Sequence, residues 1–145
     1  MKTQNFKNHA RYYPLHHFIV TPLTLIFLGW TVNRSNFETS ESTSESIYFL
    51  ILALIVVILP MMERIYALKN QNRIILTEMR QRYFHLTGKS FYEKERDLRT
   101  IQIIALRFAG DDELLELIDQ AISKKLSNKE IKMTVKNWKP DFSRV

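Results

Sequence analysis

Residues 46–86 read SIYFLILALIVVILPMMERIYALKNQNRIILTEMRQRYFHL, and the part from Ile47 to Met62 carries no charge. No glycine interrupts the stretch, so the spacing predicts one long helix, apolar in its first half and amphipathic in its second. The uncharged run spans about 24 Å at the helical rise, against a hydrocarbon core of about 30 Å. Glu63 and Arg64 can reach headgroups while their stems stay in the apolar layer, and Tyr48 and Tyr66 suit the two interfaces. Pro60 removes one backbone donor and predicts a mild bend. A buried helix of a soluble domain is the competing reading, but such runs are usually shorter, and a second uncharged run precedes this one.

That second run is Phe18 to Val32, FIVTPLTLIFLGWTV. Pro22 lies inside it and predicts a break or kink unless a neighbour such as the second span or the Thr21 hydroxyl satisfies the freed carbonyl. Trp30 belongs to an aromatic belt. A basic start before an apolar core also mimics a signal peptide, but Trp30 to Arg34 contains no small-x-small cleavage site, so an uncleaved anchor is expected.

Charge is partitioned along the chain. Of 21 Lys/Arg only Lys2, Lys7, Arg11 and Arg34 precede Met62, and of 15 Asp/Glu only Glu38, Glu41 and Glu45 do. The formal net charge of +6 follows from retention of basic residues on the cytoplasmic side of a membrane protein and does not call for nucleic acid. With no cysteine, disulfides, thiolate metal sites and thiol chemistry are excluded. The organisation expected is an interfacial segment at 1–17, a first span at 18–32, an extracytoplasmic polar loop at 33–46, a second span at 47–62, its cytoplasmic extension at 63–87 and a helical tail at 88–145. The fold class is all-α: a two-helix transmembrane hairpin, the second span continuing into a long cytoplasmic helix, then a small helical bundle. Basic flanks place both termini in the cytoplasm.

The first seventeen residues, MKTQNFKNHARYYPLHH, mix basic and aromatic side chains as an interface favours. The run QNFKNHARYYPLHHF, the Pro-containing apolar segment, the short polar loop and the second span leading into a basic tail resemble an uncharacterised family of small bacterial two-span membrane proteins. The resemblance covers the whole chain and implies a membrane location and a helical fold. It carries over no functional residues.

From Met61 on, positions Met61, Ile65, Leu68, Asn72, Ile75, Met79, Arg82 and Leu86 recur in steps of four and three, a heptad seam with polar Asn72 in it and spoiled at Arg82, where Tyr83 beside it can serve. It predicts either packing on the chain's own tail or a coiled-coil contact between protomers. Lys69, Arg73 and Arg80 share another face, which is solvated or meets anionic lipid or an acidic partner. Gly88 predicts a left-handed stop, and Ser90 with Glu93 a capping box. A third helix is expected from Phe91 to Ala109 with Leu98, Ile101, Ala105 and Phe108 on its apolar stripe, ended by Gly110. Asp111 or Asp112 should cap a fourth, whose face is Leu114, Leu115, Ile118, Ala121 and Ile122. Ser127 with Glu130 should cap a fifth carrying Ile131, Val135 and Trp138, closed by Pro140.

Candidate chemistry is sparse. His9, His16 and His17 form the one metal-like cluster, but the first acidic residue is Glu38 and Pro14 divides the histidines, so interfacial packing is the expected role and no metal is assigned. The glycines are isolated, the serines cluster in the polar loop or at helix caps rather than in a nucleophile's setting, and the acids from Asp111 to Asp119 suit a helix start and a solvated face. No catalytic residue, cofactor or small-molecule substrate is expected. The candidate interface or docking residues are Lys7, His9, Arg11, Tyr12, Tyr13, His16, His17 and Trp30, and the seam residues are Ile65, Leu68, Asn72, Ile75 and Met79. The expected partners are the lipid bilayer and a membrane protein or a second copy. The expected role is a non-enzymatic accessory, scaffold or assembly subunit of a bacterial inner-membrane complex, with a holin-type or lipid-interacting pore-forming protein as the alternative.

Overall fold

The computed structural model describes residues 4–6, 8 and 13–141. Those residues are helical, without a strand, apart from turns and one isolated bridge between Ala109 and Trp138. The chain divides into two compact units, residues 12–68 and residues 69–144 with 1–11.

In the first unit a π-helical turn, Leu15–Val20, runs into α1, Thr21–Arg34. The change of register falls at the proline: Pro22 sits in the first turn of α1, where a missing N–H costs least. The carbonyl of His16 accepts both the backbone N–H of Thr21 and, at 2.8 Å, its hydroxyl. The carbonyl that loses its donor at Pro22 is that of Phe18, four residues back, so the Thr21 hydroxyl, bonded to His16, does not fill the role expected of it; the turn before the proline is widened instead. A short connection leads to α2, Ser40–Thr87, which passes through Pro60 unbroken.

α2 begins well before the apolar run, inside the region expected to be loop. Thr39 and Ser42 explain this, because each backbone N–H donates to the other's hydroxyl at 3.1 Å, a capping pair with serine in place of the usual acid. Ser46 then closes the connection: its hydroxyl accepts from the Asn36 N–H at 2.8 Å and donates to the Asn36 carbonyl at 2.9 Å. Among the described residues of this unit the buried ones are Thr31, Ser46 and Ala53, all small, while Phe18, Ile26, Trp30, Ile51 and Leu59 are exposed. The unit is apolar outside and small inside.

The second unit packs the end of α2 against four short helices: α3, Tyr92–Arg96; α4, Thr100–Leu106; α5, Leu114–Ser123; and α6, Asn128–Thr134. Ile75, Met79 and Tyr83 of α2 share a core with Phe91, Ile103, Leu106, Leu114, Ile118 and Ile131. Gly88 ends α2 at φ 67°, its N–H donating to the Phe84 carbonyl at 2.7 Å.

The third helix expected over Phe91 to Ala109 is two helices. Asp97 and Leu98 tighten onto the carbonyls of Lys94 and Glu95, and Arg99 turns extended at ψ 148°. The buried Gln102 holds the break: its side-chain oxygen accepts from the Arg99 N–H at 2.7 Å and its amide donates to the Leu126 carbonyl at 2.7 Å. The break rotates α4, so Gln102, Ile103, Ala105 and Leu106 face inward and Ile101 is exposed. On α5 the buried face is Leu114, Leu117, Ile118 and Ala121, with Leu115 outside. Ser127 and Glu130 cap α6 reciprocally, but that helix stops at Thr134. Trp138 lies beyond it, its ring 5.0 Å from Phe108, and the Lys139 N–H donates to the Phe108 carbonyl at 2.8 Å.

Candidate functional site

A concavity of the second unit, about 630 Å3, lies between the last turns of α2 and the segment Lys139–Asp141. The helical period of α2 brings Glu78, Arg82 and His85 to it, since residues three and four apart share a face. Arg82, expected to spoil an apolar seam, is its central group. Its guanidinium pairs with Asp111 and donates to the carbonyls of Arg107 and Ala109, at 3.2 and 2.5 Å. The side chain is 13% exposed, so these are largely desolvated, charge-assisted bonds. Its hydrogen bond holds the Asp111 carboxyl below the usual carboxylate range, and the charges of Arg82 and, at 3.8 Å, Lys139 act in the same direction. Arg107 reaches Asp141 at 3.2 Å with its guanidinium 4.7 Å above the Phe108 ring. The Asp141 N–H donates to the side-chain oxygen of Gln4 at 2.8 Å, and Gln4 is buried.

None of the acids expected to cap α5 does so. The N–H groups of Glu113 and Leu114 turn back onto the Gly110 carbonyl, and the acids tie separate segments together. Asp112 accepts from the Asn137 amide, and Glu113 from the backbone N–H groups of Lys136 and Asn137 at 3.1 and 3.0 Å. Asp119 pairs with Lys94 at 2.7 Å. Arg80, on the face read as solvated, binds both oxygens of Glu95 at 2.7 and 2.6 Å, which raises its own pKa and lowers that of Glu95. Nor does the Ser90–Glu93 box form: Ser90 Oγ accepts from the Tyr92 N–H at 3.3 Å, and α3 starts without a side-chain cap.

Of the candidate interface residues, Lys7, His9, Arg11 and Tyr12 lie outside the described residues. Tyr13 and His16 line a pocket of about 200 Å3 with Pro60, Glu63 and Arg64, and the rings of His16 and His17 are 5.1 Å apart. Trp30 is exposed. The seam divides: Ile75 and Met79 are in the tail core, Asn72 is half-buried, and Ile65 and Leu68 are exposed. Among the described residues no group of three or more His, Asp or Glu side chains could hold a metal ion. Sequence reasoning missed Arg82, Gln102 and Gln4. A charge inside an apolar seam was the signal for the first, and a lone glutamine in the apolar α4 run for the second.

Two long apolar helices joined to a clasped helical bundle define the class: an all-helical protein with two candidate membrane spans. The chain belongs to a family of unknown function, DUF6526, which it matches over residues 1–145. No curated protein and no solved structure matches it.

Proposed function

We propose that the protein spans a bacterial inner membrane twice, with both termini in the cytoplasm, and serves as a non-enzymatic scaffold or assembly subunit whose tail bundle meets a membrane-protein partner. The observation that carries this is the inverted burial of residues 12–68. A soluble hairpin would bury Phe, Leu and Ile, whereas here the buried residues are Thr31, Ser46 and Ala53 and the large apolar ones face outward. Lipid offers no drive to bury apolar side chains, and helices in it associate through small residues. In water, an exposed apolar surface on this scale would aggregate or bind a partner. The bond between Gln4 and Asp141 supports a common side for the N-terminal segment and the tail, which two crossings provide. The basic flanks make that side the cytoplasm.

The test uses single cysteines in this cysteine-free chain. Ser40→Cys should react with a membrane-impermeant thiol reagent in intact cells and Lys129→Cys should be protected, Lys129 being chosen because it is exposed and leaves the Ser127 cap intact. Equal labelling would overturn the orientation, and recovery of the protein from the soluble fraction would overturn the membrane reading.

A further inference from the structure

A half-open pocket of about 410 Å3 lies at the connection between α1 and α2. Three aromatic rings, Phe27, Trp30 and Phe49, share its lining with one carboxylate, Glu45, and one guanidinium, Arg34. The two charges are opposite in sign, yet among the described residues no ion pair engages either. Aromatic faces beside a carboxylate are what a substituted ammonium requires, because the ring quadrupoles and the anion attract it from different directions. A guanidinium is the planar, multi-donor group that suits phosphate oxygens. A ligand that carries an ammonium and a phosphate a few bonds apart would engage both.

The pocket is built before any ligand arrives. Ser46, itself buried, is hydrogen-bonded in both directions to Asn36. The hydroxyls of Thr31 and Ser35 donate to the carbonyls of Phe27 and Thr31, at 2.8 and 2.9 Å, along the last turns of α1. Binding would therefore order little backbone, which lowers its entropic cost.

We propose that this pocket binds the zwitterionic headgroup of a phospholipid, the ammonium against the rings and Glu45 and the phosphate on Arg34. The inference rests on the reading of α1 and α2 as membrane spans. A lipid fits better than a soluble zwitterion because one turn inward from the pocket Ile26 and Leu52 are exposed. One helical turn from Trp30 and from Phe49 respectively, they offer exposed apolar surface to acyl chains.

The experiment is native mass spectrometry of the full chain extracted in mild detergent. Phosphatidylethanolamine is offered against phosphatidylglycerol of the same acyl chains, which keeps the phosphate and lacks the ammonium, with soluble glycerophosphoethanolamine as a third arm. Retention of the zwitterionic lipid should exceed that of the anionic one by about tenfold, and Glu45→Gln and Trp30→Leu should each reduce it by about three- to tenfold. Both side chains are exposed, so neither variant removes core packing. Equal retention of the two lipids, or unchanged retention in Glu45→Gln, overturns the proposal. Binding of the soluble headgroup as tightly as the lipid overturns the lipid assignment. Failure of this selectivity in a protein recovered from membranes leaves the two-span reading standing, whereas recovery from the soluble fraction removes both.

Discussion

Removing the Arg82 guanidinium strips partners from Asp111 and from the carbonyls of Arg107 and Ala109 at once. Arg82→Gln should destabilise the tail by about 2–3 kcal/mol, since buried acceptors are left with one short amide to share. Thermal unfolding of the full chain in detergent, followed by circular dichroism, measures the loss. Asp111→Asn should cost less, because Asp111 is half exposed and solvent screens its half of the pair. The carboxyls of Glu95 and Asp111 are held below their ordinary pKa by Arg80 and Arg82. Their contribution is therefore complete above the ordinary carboxylate range and is lost as pH falls through that range toward the depressed values. Acid titration of the melting temperature should show the fall, with a shallower slope in Glu95→Gln. Lys125 is the opposite case, a residue at φ 50° where α5 ends, with the Leu126 N–H closing onto the Ala121 carbonyl at 3.1 Å. That left-handed position suits glycine, and Lys125→Gly should raise stability by about 1 kcal/mol.

The amphipathic half of α2 serves the tail core through Ile75, Met79 and Tyr83. Met79 is 2% exposed, so Met79→Ala should cost the tail about 2–4 kcal/mol, whereas Ile65→Ala, at an exposed position, should leave tail melting unchanged. With Ile75 and Met79 occupied within the chain, Asn72→Cys should stay monomeric under mild oxidation in membranes. A crosslinked dimer would show that the seam meets a second copy. The break between α3 and α4 depends on Gln102 serving Arg99 and Leu126 together. Gln102→Leu should lower stability by about 1–2 kcal/mol, through two part-buried backbone groups that lose their partner. Amide exchange at Arg99 should accelerate even where the global loss is small.

For the whole molecule, the segment preceding the first apolar helix belongs with the tail through Gln4, which is buried and accepts from the Asp141 N–H. Gln4→Ala should speed amide exchange at Asp141, while Tyr13→Ala, at an exposed residue, should not. The N-terminal segment reads by composition as an interfacial anchor, and any aromatic or basic side chain could serve that purpose. A glutamine paired 137 positions away has no such freedom.

The sequence by itself determined what depends on local pattern. Uncharged runs with no glycine over 46–86 specify long apolar helices, Gly88 supplies the left-handed stop, and Ser127 with Glu130 caps α6, because each outcome is set by a side chain and its nearest few backbone groups. Where a polar side chain had a distant partner, only the tertiary structure decided. Asp111, Asp112 and Glu113 stand where helix caps belong, yet Arg82, Asn137 and the N–H groups of Lys136 and Asn137 take them. Gln102 divides a helix because the Leu126 carbonyl, 24 residues on, competes for it. Burial along α2 divides the same way: hydropathy alone marks Ile65 and Ile75 alike, but Ile75 is buried in the bundle core and Ile65 is exposed. Periodicity assigns a residue to a face of its helix, and the fold determines what that face meets.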